Sequence, residues 1–141
     1  LMYDYLGVTI LYLAINSDIC TRKLSYINAG NNSPILLSNN QTIELDKGCT
    51  LLGITNPLMS LETETLLISS QSILFAYTDG LTDTVNSHDD TISVEELKNI
   101  LKNNKNSNCE FINKAMMYYL EEFKGEMPFV DDIAMLTCKF N

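Results

Sequence analysis

The chain has 141 residues, the size of one ordinary domain. Hydrophobic residues are 45% and charged residues 19%, near globular averages, which excludes wholesale disorder and a coiled-coil rod. Lys plus Arg number 9 against 18 for Asp plus Glu, a formal charge of -9 that argues against nucleic acid as the main ligand and fits a soluble acidic protein or one gathering carboxylates around cations.

Val8 to Ile15 is rich in β-branched and aromatic residues and predicts a strand. Asn16-Ser17-Asp18 supplies turn chemistry, and Lys23 to Asn28 alternates polar and apolar residues as a return strand. A second hairpin follows, with Ile35 to Ser38, a turn at Asn39-Asn40, and Thr42 to Leu45. Leu51 to Ile54 is a short apolar patch closed by Asn56-Pro57. Ser60 to Ile68 predicts a strand with Glu62 and Glu64 on a solvated face. Ser72 to Thr78 is the most apolar stretch and reads as a central strand buried on both faces.

The pattern then turns helical. Val85 to Thr91 is a polar loop holding the single histidine, His88, expected to be exposed. Ser93 with Glu96 forms a capping-box pattern ahead of Leu97, Ile100 and Leu101. Ser107 with Glu110 forms a second, ahead of a stripe at Phe111, Ile112, Ala115, Met116, Tyr119, Leu120 and Phe123. Gly125 is placed to end that helix, and Ile133 to Phe140 reads as the closing strand. The order predicts an α+β fold with a mostly antiparallel sheet and a helical hairpin before the last strand.

The four cysteines, Cys20, Cys49, Cys109 and Cys138, include no CxxC pair, so reduced packing thiols are expected and a Cys/His zinc site is not. No apolar run approaches the roughly 20 residues of a membrane span, so no membrane contact by this segment is expected. The start lacks the basic region of a signal peptide, and the expected location is the cytoplasm.

Two acidic signals stand at strand ends. Asp79 follows the central strand, and Asp131-Asp132 precedes the closing one. If those strands are antiparallel neighbours, both carboxylates project from one sheet end. Carboxylates held that close repel unless a proton or a cation neutralises them, and hard divalent cations such as Mg²⁺ or Mn²⁺ take oxygen ligands. The plain alternative is an Asp-Gly turn and a solvated Asp-Asp pair.

Four segments, Lys23 to Leu37, Leu51 to Ile54, Ser72 to Asp83 and Val130 to Phe140, occur in the order seen in the PPM-type metal-dependent protein phosphatases. The sequence resembles specifically their bacterial SpoIIE/RsbU-like serine phosphatase branch. The resemblance implies part of a layered α/β-β/α sandwich, one phosphatase domain over residues 1–141, with a two-metal Mn²⁺ or Mg²⁺ centre. By it Asp79 and Asp131 are catalytic metal ligands, and Asp132 neighbours the metal shell. It implies hydrolysis of phosphoserine or phosphothreonine by a metal-bound water, without a phosphoenzyme. The implied substrate is a phosphorylated regulatory protein such as an anti-sigma-factor antagonist, with a sensor module upstream in the full-length parent.

The sequence also departs from the family pattern. The Asp-Gly metal motif of the N-terminal part has no counterpart, so an incomplete centre is expected. Asn31 stands for the usual His, Ser33 for the first Pro, and Ala134 for a frequent Thr. These substitutions motivate an alternative, a catalytically inactive regulatory or phosphoprotein-binding module. Strand edges left unpaired also predict a homodimer.

Overall fold

A computed structural model of the chain describes residues 10–17, 22–50, 52–53 and 60–140. The predicted features at Val8, Thr9, Asp18, Cys20, Leu51, Ile54 and Asn56-Pro57 lie outside those residues. The described elements form an α+β fold in two units. One takes in the described residues of Leu1–Ser33 and Leu45–Ser69, the other those of Pro34–Glu44 and Ser70–Asn141.

The first unit is a four-stranded sheet around β2 (Arg22–Ala29). β1 (Ile10–Ser17) pairs antiparallel along its whole length, from Ile10 opposite Ala29 to Ser17 opposite Arg22. Asn16 and Ser17 therefore belong to the ladder and not to the turn assigned to them. Along the other side of β2 run β6 (Glu64–Leu67), antiparallel, and the two-residue β5 (Gly48–Cys49), parallel. Leu24, Tyr26 and Asn28 alternate inward and are buried, as period-two patterning requires. Tyr26 donates from its hydroxyl to Glu64 Oε2 at 2.5 Å, so Glu64 is half-buried and not on the solvated face predicted for it; Glu62 is exposed. Burial, with that hydrogen bond behind it, pushes the Tyr26 phenol up to about 12. The buried Asn28 amide donates to the carbonyls of Asn31 and Leu45, and its oxygen accepts from the Asn31 N–H at 2.9 Å. That side chain satisfies the backbone of the turn after β2, where Gly30 takes a positive φ of 79°.

The second unit is a sheet in the order β4-β3-β7-β8, antiparallel throughout, with two helices against it. β3 (Ile35–Ser38) and β4 (Gln41–Glu44) are joined by Asn39 and Asn40, with φ of 50° and 63°. Both central residues at positive φ make the primed two-residue turn that matches strand twist, and Asn tolerates that region. β7 (Ile73–Tyr77) is central, with Ile73, Leu74, Phe75 and Tyr77 buried, and β8 (Met135–Lys139) lies beside it.

A short helix the sequence did not announce, α1 (Asp79–Thr82), follows β7 directly. α2 (Val94–Asn103) starts at the predicted capping box: Ser93 Oγ accepts from the Glu96 N–H, and Glu96 accepts from the Ser93 N–H. α3 (Cys109–Lys124) starts one residue later than its predicted box. Asn108 is the cap, accepting from the Phe111 N–H at 2.8 Å, and Glu110 instead pairs with Lys114 one turn on. Asn equals Ser as a cap, so the register of the helix chose between adjacent candidates. Gly125 ends the helix at φ 57° as expected.

Leu97 and Leu101 of α2, and Ile112, Met116 and Leu120 of α3, pack with Ile35, Leu37, Ile73 and Phe75 as one apolar core. Phe111, assigned to that stripe, is 54% exposed, because it lies beside the buried line and not on it. The Tyr119 hydroxyl donates to Glu96 Oε1 at 2.5 Å, locking α3 to the cap of α2. Thr137 donates to Asn113, and Lys139 donates to the carbonyls of Lys105 and Ser107, so β8 is tied to the helical hairpin. Among the described residues no helix is long and apolar enough to cross a membrane.

Candidate metal centre

The last pair of the β7–β8 ladder is Tyr77 with Met135, so the residues just past it leave the sheet at one end. Thr78 extends the ladder by a clamp. Its N–H donates to the Ala134 carbonyl, its hydroxyl donates to the Asp132 carbonyl, and that hydroxyl accepts from the Ala134 N–H, each at 3.0 Å. Asp79 is the first residue of α1, and Asp131-Asp132 is the approach to β8.

Gly80 brings the two segments into contact. A β-carbon there would stand 2.4 Å from the Asp132 oxygen and 3.2 Å from the Asp131 carbonyl carbon. Only a residue without a side chain allows the start of α1 to lie on the Asp132 carbonyl. The Asp-Gly pair is thus a point of close approach, and its alternative reading as a turn pair gives way to the first turn of a helix.

Both lead carboxylates are exposed, and each is oriented by the amide that follows it. Asp79 Oδ1 accepts from the Gly80 N–H at 3.0 Å, and Asp131 Oδ1 accepts from the Asp132 N–H at 2.7 Å. Asp132 is exposed as well, with its carbonyl held by Thr78. Asp83 is exposed at the end of α1, its N–H donating to the Asp79 carbonyl. His88 is exposed in the 85–91 loop, which Asn86 closes by accepting from the His88 and Asp90 N–H groups. Among the described residues no group of three His, Cys, Asp or Glu side chains is placed to hold one ion. Asp79, Asp131 and Asp132 are thus exposed carboxylates, oxygen donors of the hard class that Mg²⁺ or Mn²⁺ takes, on two segments that Thr78 ties together, and they do not form such a group of three. Thr78 and Gly80 carry the geometry, and the Thr-Asp-Gly triplet was their only signal in the sequence.

A family model described as Stage II sporulation protein E (SpoIIE) matches residues 2–141. The chain belongs to the SpoIIE family. As the Thr-Asp-Gly and Asp-Asp segments implied, this places it among PPM-type phosphatase domains. A search of curated proteins finds no match. Solved structures with the SpoIIE fold do match. The SiaA-PP2C domain of Pseudomonas aeruginosa is 19% identical with a TM-score of 0.73, covering 84% of this chain and 47% of that one. The phosphatase domain of the cell fate determinant SpoIIE from Bacillus subtilis, presoaked with Mn, is 13% identical with a TM-score of 0.65, covering 93% and 56%. The catalytic domain of the serine threonine protein phosphatase PstP, in complex with two manganese ions, is 13% identical with a TM-score of 0.60, covering 96% and 60%. The chain thus spans about half the length of these structures.

Proposed function

We propose that Asp79 and Asp131, with Asp132 beside them, form this chain's share of a Mn²⁺ or Mg²⁺ centre that hydrolyses phosphoserine or phosphothreonine on a regulatory protein. An anti-sigma-factor antagonist is the substrate type, and the chain acts within a single cytoplasmic phosphatase domain governed by an upstream sensor module. The observation that carries the reading is the close approach of Gly80 to the Asp132 carbonyl, in a chain of the SpoIIE family. The manganese of the SpoIIE and PstP structures supports the choice of cation.

When bound, the cations supply Lewis acidity and lower the pKa of water for attack on phosphorus. This chain's residues supply position. The Thr78 clamp fixes the spacing of the two acidic segments, and the adjoining amides hold one oxygen of each carboxylate, leaving the other free to ligate.

The test is Mn²⁺-dependent hydrolysis of p-nitrophenyl phosphate by the full-length protein. Asp79→Asn and Asp131→Asn are each expected to lower turnover by about a hundredfold or more, in line with loss of a positioned charge-stabilising group. Undiminished turnover in either variant refutes the assignment. Asn31 and Ala134 favour the second reading, an inactive phosphoprotein-binding module, which predicts Mn²⁺ binding without hydrolysis.

A further inference from the structure

The position that admits no side chain is also the one with the loosest backbone. Gly80 must be glycine to approach the Asp132 carbonyl, and glycine gives up more conformational freedom on ordering than any other residue. It sits in a helix of four residues, whose carbonyls all belong to a terminal turn and need added donors. The Asp79 carbonyl takes the Asp83 N–H at 2.8 Å and the Thr82 hydroxyl at 3.1 Å. The Gly80 carbonyl takes the Thr84 hydroxyl at 2.8 Å. Thr84 is fully buried, at 0% exposure, although threonine is mostly a surface residue. Its own place is fixed on both sides, since Leu81 lies in the apolar core and Val85 bridges Thr91 antiparallel.

We infer that Thr84 is a positioning residue for the acidic site: by holding the Gly80 carbonyl, its hydroxyl fixes the one-turn helix that presents Asp79 beside the 131–132 segment. This rests on the proposed cation-dependent reading of that site. Thr78 ties the strand side of Asp79, and Thr84 ties the helix side, so Asp79 hangs between two fixed points. Both polar groups of Gly80 are engaged, its N–H by Asp79 Oδ1 and its carbonyl by Thr84 Oγ1. Rotation of the peptide after Gly80 would part the second bond and leave a buried hydroxyl and a carbonyl without partners, which is costly. Without the hydroxyl that restraint is gone, and the glycine is free to let the Asp79 carboxylate swing away from its neighbours.

The test uses the full-length protein and two readouts, Gly80 amide exchange without metal and Mn²⁺ affinity by titration calorimetry. Thr84→Val removes the hydroxyl at nearly constant shape, Thr84→Ala removes it without a new methyl, and Thr84→Ser keeps it. Thr137→Val is the control, removing another buried hydroxyl, which donates to Asn113. The two hydroxyl-free variants are each expected to speed Gly80 exchange and to weaken Mn²⁺ binding, both by about tenfold. Thr84→Ser is expected to match the wild type in both readouts, and Thr137→Val to lower the unfolding midpoint alone. Gly80 exchange or Mn²⁺ affinity unchanged in both hydroxyl-free variants overturns the inference, as does an equal loss in Thr137→Val. A protein that binds Mn²⁺, loses affinity without the hydroxyl and yet hydrolyses no phosphate ester upholds the role of Thr84 and sinks the phosphatase reading. A wild type that binds no Mn²⁺ sinks both.

Discussion

Gly80→Ala tests whether the acidic segments are held together by backbone contact. The added β-carbon would meet the Asp132 oxygen at 2.4 Å, which is 1.0 Å short of the 3.4 Å where ordinary contact begins. Both sides are main chain, so no rotamer change relieves the overlap. The Thr78 clamp resists separation, since moving α1 away stretches hydrogen bonds to residues 132 and 134. Overpacking of this kind costs about 1–3 kcal/mol. Against it stands the helix preference of Ala over Gly, about 1 kcal/mol. The net expectation is a loss of about 0–2 kcal/mol, centred near 1, which lowers the melting temperature by roughly 4 °C at this chain length. Separating the segments by even half the overlap also weakens Mn²⁺ binding, by about tenfold or more on the scale set by misplaced catalytic groups. Urea unfolding and titration calorimetry with MnCl₂ read the two effects. An alanine variant more stable than the wild type by about 1 kcal/mol refutes the close approach, because the helix preference would then act unopposed.

Cap assignment gives a second test: Asn108→Ala is expected to cost about 1 kcal/mol in urea unfolding and Ser107→Ala less than half of that, the reverse of what the capping-box pattern predicts. The lock between the helices titrates at both ends. Its hydrogen bond holds the Tyr119 phenol at about 12 and, with Ser93, lowers the Glu96 carboxyl below its ordinary 4.5. A raised phenol stabilises fully below its unfolded value of 10.0 and loses that contribution as pH rises through about 12; a lowered carboxyl stabilises above 4.5 and loses it as pH falls. The stability gap between wild type and Tyr119→Phe is therefore expected to be widest from pH 5 to 10 and to shrink on either side, and a gap constant from pH 3 to 12 would contradict the lock.

Strand periodicity made most of the sheet legible in advance. Ile73 to Tyr77 and Met135 to Lys139 fall inside the predicted strands, and the Asn39-Asn40 hairpin lies where turn chemistry put it. The misses share a cause, since local patterns carry no information on what lies across the sheet. Glu64 reads as a solvated residue until β2 brings Tyr26 opposite it. Ser107 and Asn108 are equal as caps until packing sets the helix register, and Phe111 fits the stripe only if its edge is drawn one residue too wide. At the site, Asp79 and Asp131 were readable as acids at strand ends. The Thr78 clamp and the fit of Gly80 against residue 132 depend on a partner more than fifty residues away.

That separation has a consequence for biogenesis. Among the described residues β7 pairs with β3, already synthesised, and with β8, which ends at Lys139. A ribosome that has delivered the first acid must still extrude the whole helical pair before the second can arrive. Closing so long an excursion is slow relative to local structure. The nascent polypeptide thus carries Asp79 without its counterpart until residues 131–139 have emerged, and the joining of the two acidic segments waits on the helical pair between them.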